Sequence, residues 1–225
     1  IPDSVSNMGT STFYGCTGLT NVVIGSGVTS IGQYAFYNCT RLTNVTIPIS
    51  VTSIGQYAFC NCAGLTNVVI GSGVTSIAES AFKSCSELTV LTIPGNVASL
   101  RYEAFKSCKK LTAIRFLGNI PTLSGQYVFY DTLAKIYYLP AFASNWPATF
   151  GGRPTLCWNP TVQKDAAFGF TENRFGFNIT GTASIPVAVE ATTNLVSGVW
   201  MPLTNATLGA SGSLSFTDPS PTHMP

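Results

Sequence analysis

Apolar residues recur at a fixed interval of 23 residues along the first part of the chain. A Phe column begins at Phe13, a Cys column at Cys16 and a Leu column at Leu19, and each recurs in four further copies. Further apolar columns begin at Val22, Ile24, Val28 and Ile31, and a weaker coil follows in which Phe129 falls one residue late. Because one such coil cannot bury its own apolar side, the repeat predicts a solenoid in which like residues stack into ladders.

The pattern inside each coil predicts two short extended segments. L-x-x-V-x-I reads as a strand whose Leu, Val and Ile point inward, and successive strands pair in parallel about 4.8 Å apart. A Pro or a Gly ends each strand, such as Pro48 in one coil and Gly71 in the next. Pro lacks the N–H that a ladder needs, and Gly permits the turn. V-x-x-I returns along the other side, and the A-F segment turns the chain back. Pro and Gly alternate after the strand, which we interpret as duplication of a two-coil block.

The unit A-F-x-x-C-x-x-L-x-x-V-x-I-P/G-x-x-V-x-x-I resembles the BspA-like class of bacterial leucine-rich repeats. The resemblance covers about residues 1 to 130 and rests on seven columns in five coils. It implies a right-handed solenoid on a bacterial surface or secreted protein. Such proteins are associated with adhesion to host proteins, other cells or matrix, and the resemblance carries no fixed set of ligand residues.

The pattern changes after the solenoid, which we assign to residues 1–133. Residues 134–160 are rich in aromatics, Pro and Gly, and they lie where an open end of the stack needs closure. We interpret this segment as a cap and linker. A carbohydrate platform is the alternative, built on Tyr137, Tyr138, Trp146 and Trp158.

Residues 161–225 read as short strands between turns, which predicts a small all-β, sandwich-like domain. The fold class is therefore mainly β, a leucine-rich-repeat solenoid followed by this domain. The run FGFNITGTASIPVAVEATTNLVSGVWMPL resembles a C-terminal module of secreted proteins from Verrucomicrobia-like and Planctomycetes-like bacteria. Such modules continue with one more strand, so we expect an unfinished sheet edge that a partner could fill.

Composition favours an extracellular protein. Charged residues make up 9% of the chain, far below the roughly 25% of an ordinary soluble domain, so Ser, Thr, Asn and Gly must cover the surface. The net charge of +2 is too small to indicate a nucleic-acid partner. No apolar run reaches the roughly 20 residues of a membrane span. The chain opens inside a repeat, so the first residues of the gene product, a signal peptide among them, are expected to be missing.

Seven cysteines in a secreted chain normally indicate disulfides, but five of these form one ladder. Stacked side chains point the same way, so we favour buried, reduced thiols, although the spacing itself allows bonding. A metal site is not expected, because Cys60 and Cys62 lack zinc spacing and no His lies near. Cys60 falls in an outward column and is either an exposed thiol or sequence drift. Cys157 stands outside the ladder.

The sequence holds no catalytic constellation, and we expect neither an enzyme nor a cofactor. His223 is the only histidine, and the acidic residues, Glu172 and Asp218 among them, are scattered. This removes Ser-His-Asp and Cys-His arrangements. Basic residues gather in the last coils, which we interpret as a solvated face, with a weak contact to an anionic glycan or acidic protein as the alternative. They are Lys83, Arg101, Lys106, Lys109, Lys110 and Arg115.

The outward positions of the L-x-x-V-x-I strands form the predicted concave binding surface, which we call the Thr/Asn face. This surface is uniform and nearly uncharged, which suits repetitive contacts better than one tuned receptor contact. Its candidate residues are Thr20, Asn21, Val23, Thr43, Asn44, Thr46, Thr66, Asn67, Val69, Thr89, Thr92 and Arg115.

Two hypotheses follow. The first is a non-enzymatic adhesion module that binds a protein or glycan ligand through the Thr/Asn face. The second is a structural subunit that binds copies of itself head to tail, since an open coil at one end and an unfinished sheet at the other can build a filament. Its candidate assembly residues are Ile1, Val5, Met8, Phe13, Leu214 and Phe216.

Overall fold

The computed structural model describes residues 1–166, 168–171, 174–183, 186–191 and 201–217, and these residues are mainly β. They form two compact units, Ile1–Leu156 and Cys157–Pro225. The first unit is a β-solenoid and the second is a small β region. The fold class predicted from the repeat and from the alternating segments is therefore confirmed.

The V-x-x-I segments form one parallel sheet along the solenoid. Each strand pairs with its counterpart one coil away, so that Ile31 lies opposite Ile54 and Ile54 opposite Ile77. The inward Ile or Leu of each strand from the second to the fifth is at most 1% exposed, which makes this sheet one wall of the core. In sheet order the strands are β1 (Asn7–Met8), β3 (Ser30–Ile31), β5 (Ser53–Ile54), β7 (Ser76–Ile77), β9 (Ser99–Arg101) and β11 (Thr122–Ser124).

The L-x-x-V-x-I segments form the opposite wall. In β4 the side chains of Val45 and Ile47 are buried while Asn44 and Thr46 are exposed, which is the alternation that the sequence predicts. The strands are β2 (Asn21–Val23), β4 (Asn44–Ile47), β6 (Asn67–Ile70), β8 (Val90–Ile93), β10 (Ala113–Phe116) and β12 (Lys135–Tyr138). They pair in parallel from β2 to β6 and from β8 to β12.

The Phe column fills the space between the two walls. The rings of Phe36 and Phe59 stack with centroids 5.0 Å apart, and those of Phe59 and Phe82 at 5.1 Å. Phe129 continues the stack at 6.0 Å from Phe105 although it falls one residue late. The extra residue lies between Ser124 and Tyr127, where Gly125 adopts φ +134°.

Pro and Gly alternate because successive coils approach closely after the strand. A Cβ added to Gly71 would lie 2.5 Å from the carbonyl oxygen of Pro48, and one added to Gly73 would lie 1.9 Å from that of Ile49. Gly25 meets Pro2 in the same way at 2.7 Å. The coils with Gly25 and Gly71 each follow a coil that carries Pro at this corner, so the close approach gives those two pairs a packing reason, while Leu117 follows Pro94.

The segment after the last coil closes the stack. It contains β12, a 3₁₀ helix (Pro140–Asn145), β13 (Thr149–Phe150) and β14 (Arg153–Cys157), and the strand β14 lies beside β12. Trp146 stacks on Tyr138 at 5.4 Å and packs against Phe116 and Phe150. Trp146 and Tyr137 are 7% and 3% exposed, so the carbohydrate platform that includes them is wrong and the cap interpretation fits.

The second unit contains two groups of antiparallel strands. One sheet joins β15 (Thr161–Gln163), β16 (Gly169–Thr171), β17 (Arg174–Thr180) and β20 (Ser213–Thr217). The other pairs β18 (Pro186–Ala191) with β19 (Met201–Thr207). Ile179, Val187 and Phe216 are buried, and Phe216 packs on Phe177 with ring centroids 5.0 Å apart.

Candidate binding surfaces of the solenoid

The structure brings the predicted Thr/Asn face residues together on the outer side of β2, β4, β6, β8 and β10. In-register pairing places Asn21 beside Asn44 and Asn44 beside Asn67. The third outward column runs from Val23 through Thr46 to Val69. These residues are exposed, so the first three coils present a continuous ladder of amides and aliphatic groups to solvent.

The threonine that precedes each strand forms hydrogen bonds with the backbone of the neighbouring coil. The Thr43 hydroxyl donates to the carbonyl oxygen of Thr20 at 3.0 Å, and the Thr66 hydroxyl donates to that of Thr43 at 3.0 Å. The backbone N–H of each of these residues donates to the same oxygen. Thr recurs here because its hydroxyl adds a second hydrogen bond between coils, which explains the column without a ligand.

The Asn and Val columns present the groups that a binding partner could contact. Val23 is 72% exposed and Val69 is 48% exposed. The Asn44 amide donates to the hydroxyl of Thr43 at 2.9 Å, which leaves its carbonyl oxygen outward as an acceptor. The face therefore combines exposed apolar surface with oriented amides and carries no charge in its first three coils.

The face changes character toward the last coils. Thr89 remains exposed, Thr92 and Arg115 are half-buried, and Ala113 is buried. Burial lowers the pKa of Arg115 and raises that of Tyr137 in the next strand. The open part of the Thr/Asn face therefore lies on β2, β4 and β6.

The cysteine ladder has a structural role that the pattern did not reveal. The thiols of Cys62, Cys85 and Cys108 each donate to the carbonyl oxygen of the Phe in the preceding coil, at 3.1 to 3.2 Å. Cys39 makes the same bond to Phe13 at 3.1 Å. All seven cysteines are free thiols, as the reduced-ladder prediction requires.

Two cysteines differ from expectation. Cys16 is exposed although it belongs to the ladder, because it occupies the first position of the stack. Cys60 lies in the outward column but is only 4% exposed, so the exposed-thiol alternative is wrong. Burial raises the pKa of Cys60 to about 11, despite the nearby Lys83.

Part of the predicted solvated basic face is an ion-pair cluster around a buried carboxylate, while Arg101, Lys109 and Lys110 are exposed as predicted. Glu103 is 5% exposed and accepts hydrogen bonds from Lys83 at 2.6 Å and Lys106 at 2.5 Å. Burial by itself raises the pKa of Glu103, but the bonds from the two lysines outweigh it and hold the pKa at about 2. Lys110 pairs with Glu87 at 2.7 Å on the surface. Glu103 and Glu87 therefore offset part of the positive charge of these coils, and Arg101 and Lys109 are exposed.

Sequence reasoning missed the outer edge of the A-F turns, which we call the turn edge. Each coil places two residues at positive φ there, such as Tyr34 at 56° and Asn38 at 60°. Their N–H groups donate to the next coil, as that of Asn38 does to Cys60 at 2.9 Å. A groove of about 670 Å³ follows this edge across the coils. The near-identical QYAFYN and QYAFCN segments, rich in Tyr and Asn, were the available signal.

The predicted assembly residues fall in separate places. Ile1, Val5 and Phe13 are half-buried and pack on the core, and Met8 is 3% exposed. They line a recess of about 360 Å³ at the first coil. In the second unit Leu214 is half-buried and Phe216 is buried in the β17–β20 pair. Self-assembly stays a prediction, which the mass of the purified chain in solution would test.

The described part of the chain contains no group of three or more His, Cys, Asp or Glu side chains placed to hold a metal ion. His223, Glu172 and Asp218 lie outside the described residues. Within those same described ranges, no helix has the length and apolarity that crossing a membrane requires.

Comparison with known proteins identifies the repeat. A family model for the BspA type leucine rich repeat region matches residues 1–136 in six copies. A leucine-rich repeat protein from Bacteroides ovatus is 27% identical over 71% of this chain and 41% of its own, with a TM-score of 0.56. A leucine rich cell surface protein from Faecalibacterium prausnitzii is 33% identical over 72% of this chain and 47% of its own, with a TM-score of 0.48.

The leucine rich repeat protein of T. pallidum is 29% identical over 56% of this chain and 70% of its own, with a TM-score of 0.46. The chain thus spans less than half the length of the Bacteroides and Faecalibacterium proteins. No curated protein sequence shows significant similarity to it.

Proposed function

Because the chain belongs to the BspA-type leucine-rich repeat family, we propose that it is a non-enzymatic adhesion module that binds a protein partner through the Thr/Asn face. Leucine-rich repeat proteins typically bind proteins, and BspA-type members generally take part in surface binding or adhesion. The proposal concerns the solenoid, since the family match covers residues 1–136.

The observation that supports this proposal is the exposure of Val23 and Val69 among uncharged polar side chains. These side chains are 72% and 48% exposed. Covering a well-exposed aliphatic side chain contributes roughly 1 kcal/mol or more to binding at about 25 cal/mol per Å². The surrounding Asn amides supply hydrogen bonds for the polar rim of such a contact.

The scaffold behind this face is suited to binding without rearrangement. Thr43 and Thr66 hold their coils through paired backbone and hydroxyl bonds, and the inward side chains of the same strands are buried. A face held in this way loses little conformational freedom when a partner docks, and this favours affinity.

We place the protein at the cell surface or in the extracellular space. Its charged fraction of 9% leaves a surface of Ser, Thr, Asn and Gly, which is common in secreted β-proteins. The absence of a catalytic role is part of the proposal and agrees with a family that is generally non-enzymatic.

A surface-binding experiment tests the proposal. Immobilised extracellular-matrix proteins and intact cells are exposed to the wild type and to two variants, Asn67→Arg on the Thr/Asn face and Ser53→Arg on the opposite sheet. Both changes add one exposed cation, so they differ only in the wall of the solenoid that they alter. We expect binding that Asn67→Arg weakens and Ser53→Arg preserves. Binding to none of the surfaces, or equal loss in both variants, contradicts the proposal.

A further inference from the structure

The turn-edge groove is a polar channel that runs along the solenoid rather than across it. It takes one positive-φ residue from each of five successive coils, from Asn38 to Asp131. A second row of residues forms its other side. The lining residues are Asn38, Asn61, Ser84, Ser107 and Asp131 in the first row and Thr40, Ala63, Ser86 and Lys109 in the second.

The groove offers hydrogen-bonding groups that the protein itself leaves largely unused. Within residues 1–166 the side chains of Asn38, Ser84 and Ser107 form no hydrogen bond with other protein groups. Asn61 donates to the Tyr37 hydroxyl at 3.3 Å and keeps its carbonyl oxygen as an acceptor. All of these residues are half-buried. The groove therefore presents amides and hydroxyls in a row.

The charge of the groove selects against an ionic ligand. Its only charged residues are Lys109 and Asp131, which have opposite signs and lie in its last coils. A polyanion would be attracted by Lys109 and repelled by Asp131, so it would gain little electrostatic binding energy. The same holds, with the signs reversed, for a basic peptide. A neutral ligand rich in hydroxyl groups matches these groups.

Most tyrosines of the chain lie on the turn edge, beside the groove. Of nine tyrosines, seven lie on the turn edge. Tyr14 and Tyr37 stack at 4.9 Å, and Tyr34 and Tyr57 at 5.0 Å. The seven are Tyr14, Tyr34, Tyr37, Tyr57, Tyr102, Tyr127 and Tyr130.

The rings in the first coils stack on one another, while Tyr102, Tyr127 and Tyr130 in the last coils are 38%, 50% and 56% exposed. Tyr14 and Tyr130 are each 56% exposed. They lie in the first and last coils of the row, and Tyr130 directly precedes the groove residue Asp131. Exposed aromatic rings beside a hydroxyl-lined channel provide apolar faces for the C–H groups of sugar rings, and the Lys106 ammonium lies over the Tyr130 ring at 5.7 Å from its centre. Tyr, Ser and Asn together also form the composition of adaptable binding surfaces.

The spacing of the coils suits a polymer that lies along the axis. Coils stack at the strand spacing of about 4.8 Å, which is close to the length of one pyranose unit in an extended chain. Each successive sugar then meets an equivalent Asn or Ser of the next coil.

We propose that the turn-edge groove binds an extended, neutral glycan chain. This site is separate from the Thr/Asn face, so it adds a second ligand class to the proposed adhesion module and does not depend on the first being correct. Asn38, Asn61, Ser84 and Ser107 donate to and accept from sugar hydroxyls, and Tyr14 and Tyr130 stack on sugars at the two ends.

Calorimetric titration with defined oligosaccharides tests this proposal. The probes are hexasaccharides of glucose, mannose and xylose, their disaccharides, and a hyaluronan hexasaccharide as the acidic comparison. We expect at least one neutral hexasaccharide to bind more tightly than its disaccharide, because the longer chain contacts more coils. Binding of no neutral hexasaccharide, or tighter binding of the hyaluronan probe, overturns the proposal.

Variants of Ser84 locate the site. Ser84→Arg fills the middle of the groove and should weaken hexasaccharide binding by about tenfold or more. Ser84→Asn is the matched control, since Asn38 and Asn61 occupy the same column at the same positive φ. Thermal unfolding confirms that both variants fold. Tyr14→Ala, at an exposed end, should weaken binding less.

The Thr/Asn face variant separates the two proposals. Asn67→Arg should leave glycan affinity unchanged, because Asn67 lies on the strand wall and not on the turn edge. If wild type and Ser84→Arg bind glycan equally, or if Asn67→Arg loses glycan binding, the glycan binds another surface. Either result overturns the proposal that the groove is the glycan site.

Discussion

The thiol of Cys85 donates a hydrogen bond to the carbonyl oxygen of Phe59, 3.2 Å away in the preceding coil. The N–H of Cys62 donates to the same oxygen within the Phe59 coil. The bond therefore links two neighbouring coils at the point where the A-F turn re-enters the core. Because a thiol is both small and a weak donor, Cys fills this position with an apolar volume and satisfies a buried acceptor.

Replacement of Cys85 by Ala should destabilise the solenoid by about 1–3 kcal/mol. The change removes a fully buried sulfur, leaves a small cavity and deprives the Phe59 oxygen of its second donor. Cys16→Ala is the matched control, since Cys16 is exposed and should change stability by less than about 0.5 kcal/mol. Urea unfolding measures both, and equal effects would refute the structural role of the ladder.

Alkylation should distinguish the ladder thiols in the native protein. Burial raises the pKa of Cys39 to about 11 and that of Cys85 well above its usual value, so neither forms a thiolate at mildly alkaline pH. We expect iodoacetamide to modify Cys16 rapidly and Cys39, Cys62, Cys85 and Cys108 only after denaturation. Peptide mass spectrometry gives the result, and fast labelling of Cys85 without unfolding would contradict the packing described here.

Glu103 should make stability depend on pH in the acid range. Its folded-state pKa of about 2 lies below the ordinary value of 4.5, so its contribution is complete above about 4.5 and is lost as the pH falls through 2. Glu103→Gln should destabilise by about 1–3 kcal/mol at neutral pH, and the gap from wild type should close toward pH 2.

Glu87→Gln is the control for this titration. Glu87 is 43% exposed in its pair with Lys110, and such pairs contribute about 0–1 kcal/mol. A gap between wild type and Glu103→Gln that stays constant from neutral pH to pH 2 would show that the carboxylate charge is not the stabilising feature.

Gly73→Ala should destabilise strongly, by about 2 kcal/mol or more, because its Cβ would lie 1.9 Å from the backbone oxygen of Ile49 and a coil would have to shift. Gly18→Ala is matched, since nothing lies within 4 Å of its Cβ and its φ is not positive. Thermal unfolding compares the two. If Gly73→Ala were as stable as Gly18→Ala, the close approach of the coils would be wrong.

The strand walls and the core were predictable because their signal is apolar periodicity. Columns such as Phe36–Phe59–Phe82 fix which side faces inward, and stacking follows from the constant spacing. The late Phe129 was also visible, and the structure adds that Gly125 absorbs the extra residue. The cap followed from the need to cover the last coil, and Trp146 is buried as that argument requires.

The polar contacts between coils were not predictable, because they depend on which groups meet across a gap of one repeat. Glu103 appeared as one of several scattered acids, and its place between Lys83 and Lys106 became clear only from the stack. Thr43 was predicted to contact a ligand because the sequence does not show that its hydroxyl donates to the backbone of the preceding coil. The groove was missed for the same reason, since Asn38 and Ser84 lie in turns that the strand pattern does not orient.

The central claim, that the Thr/Asn face is the protein-binding surface, is tested most directly at Val69. Val69→Arg places a cation on the last strand of the open face, in a column that already accommodates Arg115, and Val69→Thr copies its neighbours Thr46 and Thr92. We expect partner binding, measured by surface plasmon resonance, to weaken about tenfold or more in Val69→Arg and by less than about threefold in Val69→Thr. Unchanged affinity in a folded Val69→Arg protein would contradict the claim.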